Sequence, residues 1–254
     1  MTLGIDWGIV GPALIAGLLV LATHVPLGLQ VLRKGIVFID LAIAQIAGLG
    51  VIAADALGWE PQGWAVQAAA MSAAAAGALL MTWMERRWPD IQEALIGALF
   101  VLASSAGILL LAGNPHGGEH LKDLLVGQIL WVTPGQLWSE AGLTAVLLAL
   151  WFGLGPRLGR VGFYLLFAVA VTASVQLVGV YLVFSSLIMP ALAVRHATAR
   201  WQLPLAWLGG GLAYALGLAL SAVLDLPSGA VVVVVMTGVC IGVAAGLSLR
   251  RTAA

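Results

Sequence analysis

The chain has 254 residues, 62% hydrophobic and only 9% charged, with 11 Lys and Arg against 11 Asp and Glu. Mean hydropathy is +1.07, a value that excludes an ordinary soluble domain, and a net charge of zero gives no electrostatic basis for binding a nucleic acid. Repeated apolar stretches reach the roughly 20 residues that a helix needs to cross a bilayer, so the predicted fold class is all-α, a polytopic membrane helical bundle.

In chain order the predicted spans are 8–31, 36–57, 63–84, 93–112, 137–153, 161–182, 203–223 and 229–249, with a shorter segment at 184–194. The N-terminal stretch MTLGIDWGIVGPALIAG has no basic flank and runs on too long for a signal peptide, so it is read as an uncleaved first helix. Arg33 and Lys34 follow the first span, Arg86 and Arg87 the third, and Arg157 and Arg160 the fifth. Arg195 and Arg200 follow the short segment, and Arg250 and Arg251 the last span. Asp55, Glu60, Glu119, Asp123 and Asp225 fall in the alternate loops, as does Lys122. Cytoplasmic loops carry the Lys and Arg excess, which puts the N-terminus outside and the C-terminus in the cytoplasm.

That topology holds only if Leu121–Trp131 (LKDLLVGQILW) does not cross, and eleven residues are too few for a spanning helix. It is read as a re-entrant or interfacial piece. Conversely, the segment around Ser185–Val194 must return the chain to the cytoplasmic side although it is short and holds Pro190. Irregular backbone at membrane depth is tolerated where it is packed in protein or borders a wet cavity. Gly209, Ala213 and Gly217, and likewise Gly238, Gly242 and Gly246, recur at a spacing that lets helices approach closely in lipid. The single Cys240 rules out a disulfide framework.

No GxxxxGK[ST], HExxH or GxSxG occurs, so the chain carries no recognisable nucleotide-hydrolysing or hydrolase motif and is expected not to be an enzyme. Polar residues within the spans are therefore the informative ones, chiefly His24, Asp40, Gln45, Gln128 and Gln176. A carboxylate inside an apolar segment costs roughly 2.5–3.5 kcal/mol at a helix centre and marks a functional site by default. Asp40 lies six residues beyond Lys34, about 9 Å along a helix, so it is shallow. If the first two spans form an antiparallel pair turning at Arg33–Gly35, His24 reaches a similar depth. Imidazole plus carboxylate is a common ligand pair for a divalent metal. The alternative is structural: His24 bonds a neighbouring helix and Asp40 pairs with Arg33 or a backbone amide. His116, Glu119 and His120 cluster in NPHGGEHLKD, where Gly117 and Gly118 argue for a solvated loop rather than a helical metal face.

Four blocks together resemble the permease subunits of ABC-type zinc/manganese/iron uptake transporters. They are VLRKGIVFIDLAIAQIAGLG, IQEALIGALFVLASSAGILLL, LKDLLVGQILWVTPGQL and VGVYLVFSSLIMPALAVRHAT. The resemblance implies a homodimeric permease in the bacterial inner membrane, a separate cytoplasmic ATP-binding subunit, and an extracytoplasmic metal-binding protein. The divalent metal would be the transported substrate, zinc first and manganese or iron next, with no permanently bound cofactor. By resemblance Asp40 is a transient metal ligand, with His24 and Gln45 as supporting groups. The family's His four residues on is replaced by Ala44. Ser185, Ser186 and Pro190 would line the path. Only GLGPRLGRVGF joins the fifth and sixth spans where the family carries a longer coupling segment, and Arg157 and Arg160 there would contact the ATPase. Alternatives are a permease for a metal chelate or cobalamin-like solute, an ion-coupled carrier, and a scaffold subunit without ATP coupling.

Overall fold

The computed structural model describes residues 6–59, 63–111, 125 and 127–252, and among them nine α-helices and no strand. They are α1 (Trp7–Lys34), α2 (Ile39–Ala56), α3 (Trp64–Arg87), α4 (Gln92–Leu111), α5 (Pro134–Leu154), α6 (Gly159–Val178), α7 (Val180–Ala193), α8 (Ala199–Leu224) and α9 (Ser228–Thr252). Seven helical segments are long and apolar enough to cross a membrane; α2 and the 14-residue α7 are the shorter ones. At 18 residues α2 is about 27 Å long, just under the thickness of a hydrocarbon core. The chain is a multi-pass α-helical membrane protein.

Local chemistry explains the ends of the helices. Asp6 caps α1 by accepting from the Gly8 N–H at 2.9 Å, and Gly35 stops it in the left-handed conformation, with its N–H returned to α1 carbonyls. Thr133 and Gln136 form a reciprocal capping box at the start of α5. Glu93, from α4, accepts the Phe38 N–H at 3.1 Å and so serves the open N-terminus of α2.

The packing has two lobes. In one, α2 lies against α3 and α4; in the other, α7, α8 and α9 pack on one another. Helices α1 and α6 run between them: α1 packs on α5, α7 and α8, and α6 on α3 and α2. Of the largest sequestered side chains, Tyr164 and Phe167 of α6 belong to this central layer, and Tyr214 of α8 packs onto it at Gly17 of α1.

Gly28 allows the closest crossing, because a Cβ there would run into the Leu187 carbonyl of α7. The predicted stripe Gly209–Ala213–Gly217 is a helix contact: Ala213 is buried, and Gly217 sits against the Val232 backbone of α9. The second stripe, Gly238, Gly242 and Gly246, faces outward, with nothing within 4 Å of an added Cβ.

Two expectations meet a different geometry. The sixth span ends at Val178 rather than 182, and the break falls at Gly179, whose φ of +85° is open to glycine. Pro190 sits inside α7 without ending it. The α1 and α2 helices, joined by residues 35–38, do not form an antiparallel pair: α1 runs between the lobes and α2 packs on α3 and α4.

Of the stretch read as re-entrant, Leu125 and 127–131 are described. Gly127 has φ +71°, and residues Ile129–Trp131 make one 3-10 turn. Gly127 lies so close to Val178 and Gly179 that a Cβ would overlap the Val178 carbonyl. Irregular backbone here is buried against irregular backbone, as membrane depth demands. His116, Glu119 and His120 lie outside the described residues.

Candidate functional site

His24 lies within α1, fully buried. Its Nδ1 stands 2.9 Å from the Val20 carbonyl and 3.0 Å from the Thr23 hydroxyl. A carbonyl can only accept, so Nδ1 carries the proton and Nε2 presents a lone pair. Nε2 is buried and has no hydrogen-bond partner among the described residues. One ring nitrogen anchored to a backbone carbonyl leaves the other able to act as an acceptor or a metal ligand.

By helical spacing His24 shares a face with Gly17, Leu21 and Gly28. Those three meet Tyr214 and Gly210 of α8 and Leu187 of α7. The imidazole is therefore on the side of α1 turned to the short helix. On that helix Ser185, Ser186 and Pro190 are all buried. The Ser186 hydroxyl donates to the Leu182 carbonyl at 2.7 Å and shares a 2.8 Å hydrogen bond with the Tyr214 hydroxyl. Pro190 supplies no N–H to the turn before it, which weakens α7 at that level. All three are packed in this conformation, not set around an open channel.

Asp40 is 1% exposed and occupies the first turn of α2, where its Oδ1 accepts the Leu41 N–H at 2.8 Å. The helix N-terminus favours a carboxylate there. Gln45 is also buried, but five residues on it points about 140° away around the helix. Ala44, on the Asp40 face, is 1% exposed and offers no donor. Thus α2 alone presents a single oxygen ligand on that face. No group of three or more His, Cys, Asp or Glu able to hold a metal forms among the described residues.

The cation-rich end is tied by an ion-pair knot. Lys34 Nζ is 3.0 Å from Glu85 Oε1 and 5.3 Å from the centre of the Phe163 ring. Arg160 Nε is 3.7 Å from the same Glu85 oxygen, while more than half of its side chain remains exposed. Gln92 donates to the Tyr164 hydroxyl at 2.5 Å. The knot joins α1, α3, α4 and α6. Arg157 is exposed in the 3-10 turn Gly155–Leu158, the whole connection between α5 and α6.

One buried acid escaped the sequence reading. Glu140 of α5 is 8% exposed and sits against Ser174 of α6, with the buried hydroxyl of Thr144 one turn along. It lies inside the predicted span 137–153, so the signal that singled out Asp40, an acid within a span, was present here too. Gln128 and Gln176, by contrast, are exposed.

A family description, the ABC 3 transport family, matches residues 7–155 and 149–246. The chain is 29% identical over 179 residues to an uncharacterized membrane protein, slr2045, of Synechocystis sp., covering 62% of this chain and 64% of that protein. It is 28% identical over 165 residues to the manganese transport system membrane protein MntC of Halalkalibacterium halodurans, covering 57% of this chain and 56% of that one. The match thus spans less than two thirds of the length of either relative. In fold it resembles PsaBC from Streptococcus pneumoniae, solved in complex with Fab, with a TM-score of 0.74 at 19% identity over 92% of this chain and 90% of that one.

Proposed function

The chain belongs to the ABC 3 transport family, and on that footing we propose that it is the membrane-spanning subunit of an ATP-driven importer for a divalent metal ion. The observation that carries the metal is His24, whose Nδ1 is anchored at the Val20 carbonyl while Nε2 stays buried and unpartnered. Asp40 supplies the second donor, from α2, which packs in the lobe of α3 and α4. A site split between α1 and α2 binds weakly while the two helices stand apart and more tightly when they approach, which is what alternating access requires. Imidazole favours zinc and carboxylate suits manganese. With Ala44 in place of a second imidazole we put manganese level with zinc.

The chain performs no covalent chemistry. ATP hydrolysis belongs to a separate cytoplasmic subunit that docks at the cation-rich end, where Arg157 and the exposed half of Arg160 are the free contacts. Ser185, Ser186 and Pro190 border the path once α7 shifts. A second copy of the chain and an extracytoplasmic metal-binding protein complete the assembly in the bacterial inner membrane. We place the N-terminus outside by the positive-inside rule; Arg33 and Lys34 after α1 and Arg160 after α5 stand at one end of the bundle, linked through Glu85, and Arg33 also bonds Gln202 of α8.

The test is uptake of radiolabelled manganese and zinc by cells carrying the importer. His24→Ala and Asp40→Asn should each lower uptake at least tenfold with membrane levels unchanged. Uptake equal to wild type in both variants would remove the metal assignment. Loss for a metal chelate but not for the free ions would move the protein to the chelate reading.

A further inference from the structure

At the cation-rich end, α1, α5 and α8 leave a cavity of about 130 Å³ between them. That volume holds several waters or one tetrahedral anionic group. Its polar lining is Arg33, Gln30 and Gln202, and none of its lining residues is acidic. Arg33 is exposed, and among the described residues no carboxylate pairs with its guanidinium; one of its nitrogens donates to the Gln202 side-chain oxygen at 3.0 Å. That hydrogen bond orients the guanidinium and leaves its remaining donors free of that bond. Ala199, the first residue of α8, also lines the cavity, and Thr198 before it makes no side-chain cap. The N–H end of α8 therefore opens into the same space and adds positive potential.

The remaining wall is apolar. Trp151, half-buried, stands in the cavity with Leu203. Tryptophan at this level is the interfacial residue of a membrane protein, where an apolar body meets a wet headgroup layer. A guanidinium, two amides and a helix N-terminus beside an indole, at the end of a helical bundle, form a recess for a phosphate with an attached acyl chain. Basic pockets between transmembrane helices bind anionic lipid headgroups by these groups.

We propose that this cavity is a binding site for the headgroup phosphate of an anionic phospholipid, held by Arg33 with Gln30 and Gln202. The site is separate from the His24 and Asp40 donors, so it stands or falls independently of the metal assignment. Occupancy would tie the cytoplasmic end of α1 to α5 and α8, two helices from different parts of the bundle.

The experiment uses the full chain, purified in mild detergent and reconstituted in nanodiscs of phosphatidylcholine with or without phosphatidylglycerol. Retained lipid is counted by native mass spectrometry. Wild type should retain phosphatidylglycerol in preference to phosphatidylcholine. Arg33→Gln should lower the apparent affinity for phosphatidylglycerol about tenfold, the scale of losing one charge-assisted pair. Gln30→Glu, which keeps the cavity but cancels the charge of Arg33 with a carboxylate, should do the same. Arg87→Gln, an exposed cation away from the cavity, should change nothing. Equal retention of both lipids by wild type, or wild-type retention in both cavity variants, overturns the proposal. Displacement of phosphatidylglycerol by millimolar inorganic phosphate would assign the cavity to a soluble anion and overturn the lipid assignment.

Discussion

Replacing Gly28 with alanine tests the packing that places His24. The added Cβ would run into the Leu187 carbonyl oxygen, lie 2.9 Å from its carbon and stand 3.4 Å from the Ala191 Cβ. The obstacle is backbone of α7, so no rotamer change relieves it and the two helices must separate. Overpacking of this kind costs about 3 kcal/mol at the upper end of its usual range. Alanine returns about 1 kcal/mol of helix propensity relative to glycine. The net loss is about 2 kcal/mol, which for a chain of this size lowers Tm by about 4–8 °C. The assay is thermal unfolding of the purified protein in detergent, followed by size-exclusion fluorescence. Gly238→Ala is the control: nothing lies within 4 Å of its Cβ, so the same chemical change should raise Tm slightly. Metal uptake should fall with Gly28→Ala, since separation displaces α7 from the His24 face. A Tm for Gly28→Ala at or above that of Gly238→Ala would refute the close crossing of α1 and α7.

Lys34→Met removes the cation nearest Glu85 and leaves a carboxylate whose Oε2 is already unpartnered. It should cost about 1–2 kcal/mol by the same unfolding assay, and Glu85→Gln should cost less, because a neutral amide needs no counter-ion. Gly127→Ala forces a side chain onto a backbone at φ +71° and against the Val178 carbonyl. Uptake should fall severalfold while protein survives in the membrane, and normal uptake would remove the contact between the Gly127 turn and the Gly179 break. In a Cys240→Ala background, a cysteine at Gly58 should react with a membrane-impermeant maleimide in intact cells and one at Arg157 only after lysis. The reverse pattern would invert the topology.

The linear order of residues settled whatever depends on local composition and period. Hydropathy over windows of about 20 residues located the spans to within a few residues, because the cost of exposing peptide and polar groups to lipid is local. Cations at alternate loops give an expected polarity of the bundle by the positive-inside rule. The four quoted blocks pointed to the family, and the match over residues 7–155 and 149–246 agrees.

Tertiary structure decided what depends on which face meets which neighbour. Adjacency in the chain left open a pair of α1 and α2, but α1 packs on α5, α7 and α8 while α2 packs on α3 and α4. Pro190 drew attention to the wrong point of breakage: the chain breaks at Gly179, where the backbone of Gly127 packs against it. The orphaned Nε2 of His24, the pairing of Arg160 with Glu85 and the burial of Glu140 against Ser174 are products of side chains converging from distant parts of the chain. Hydropathy measures how much a residue resists water; it carries no information about the partner that excludes the water, and that partner is what makes a buried polar group a site.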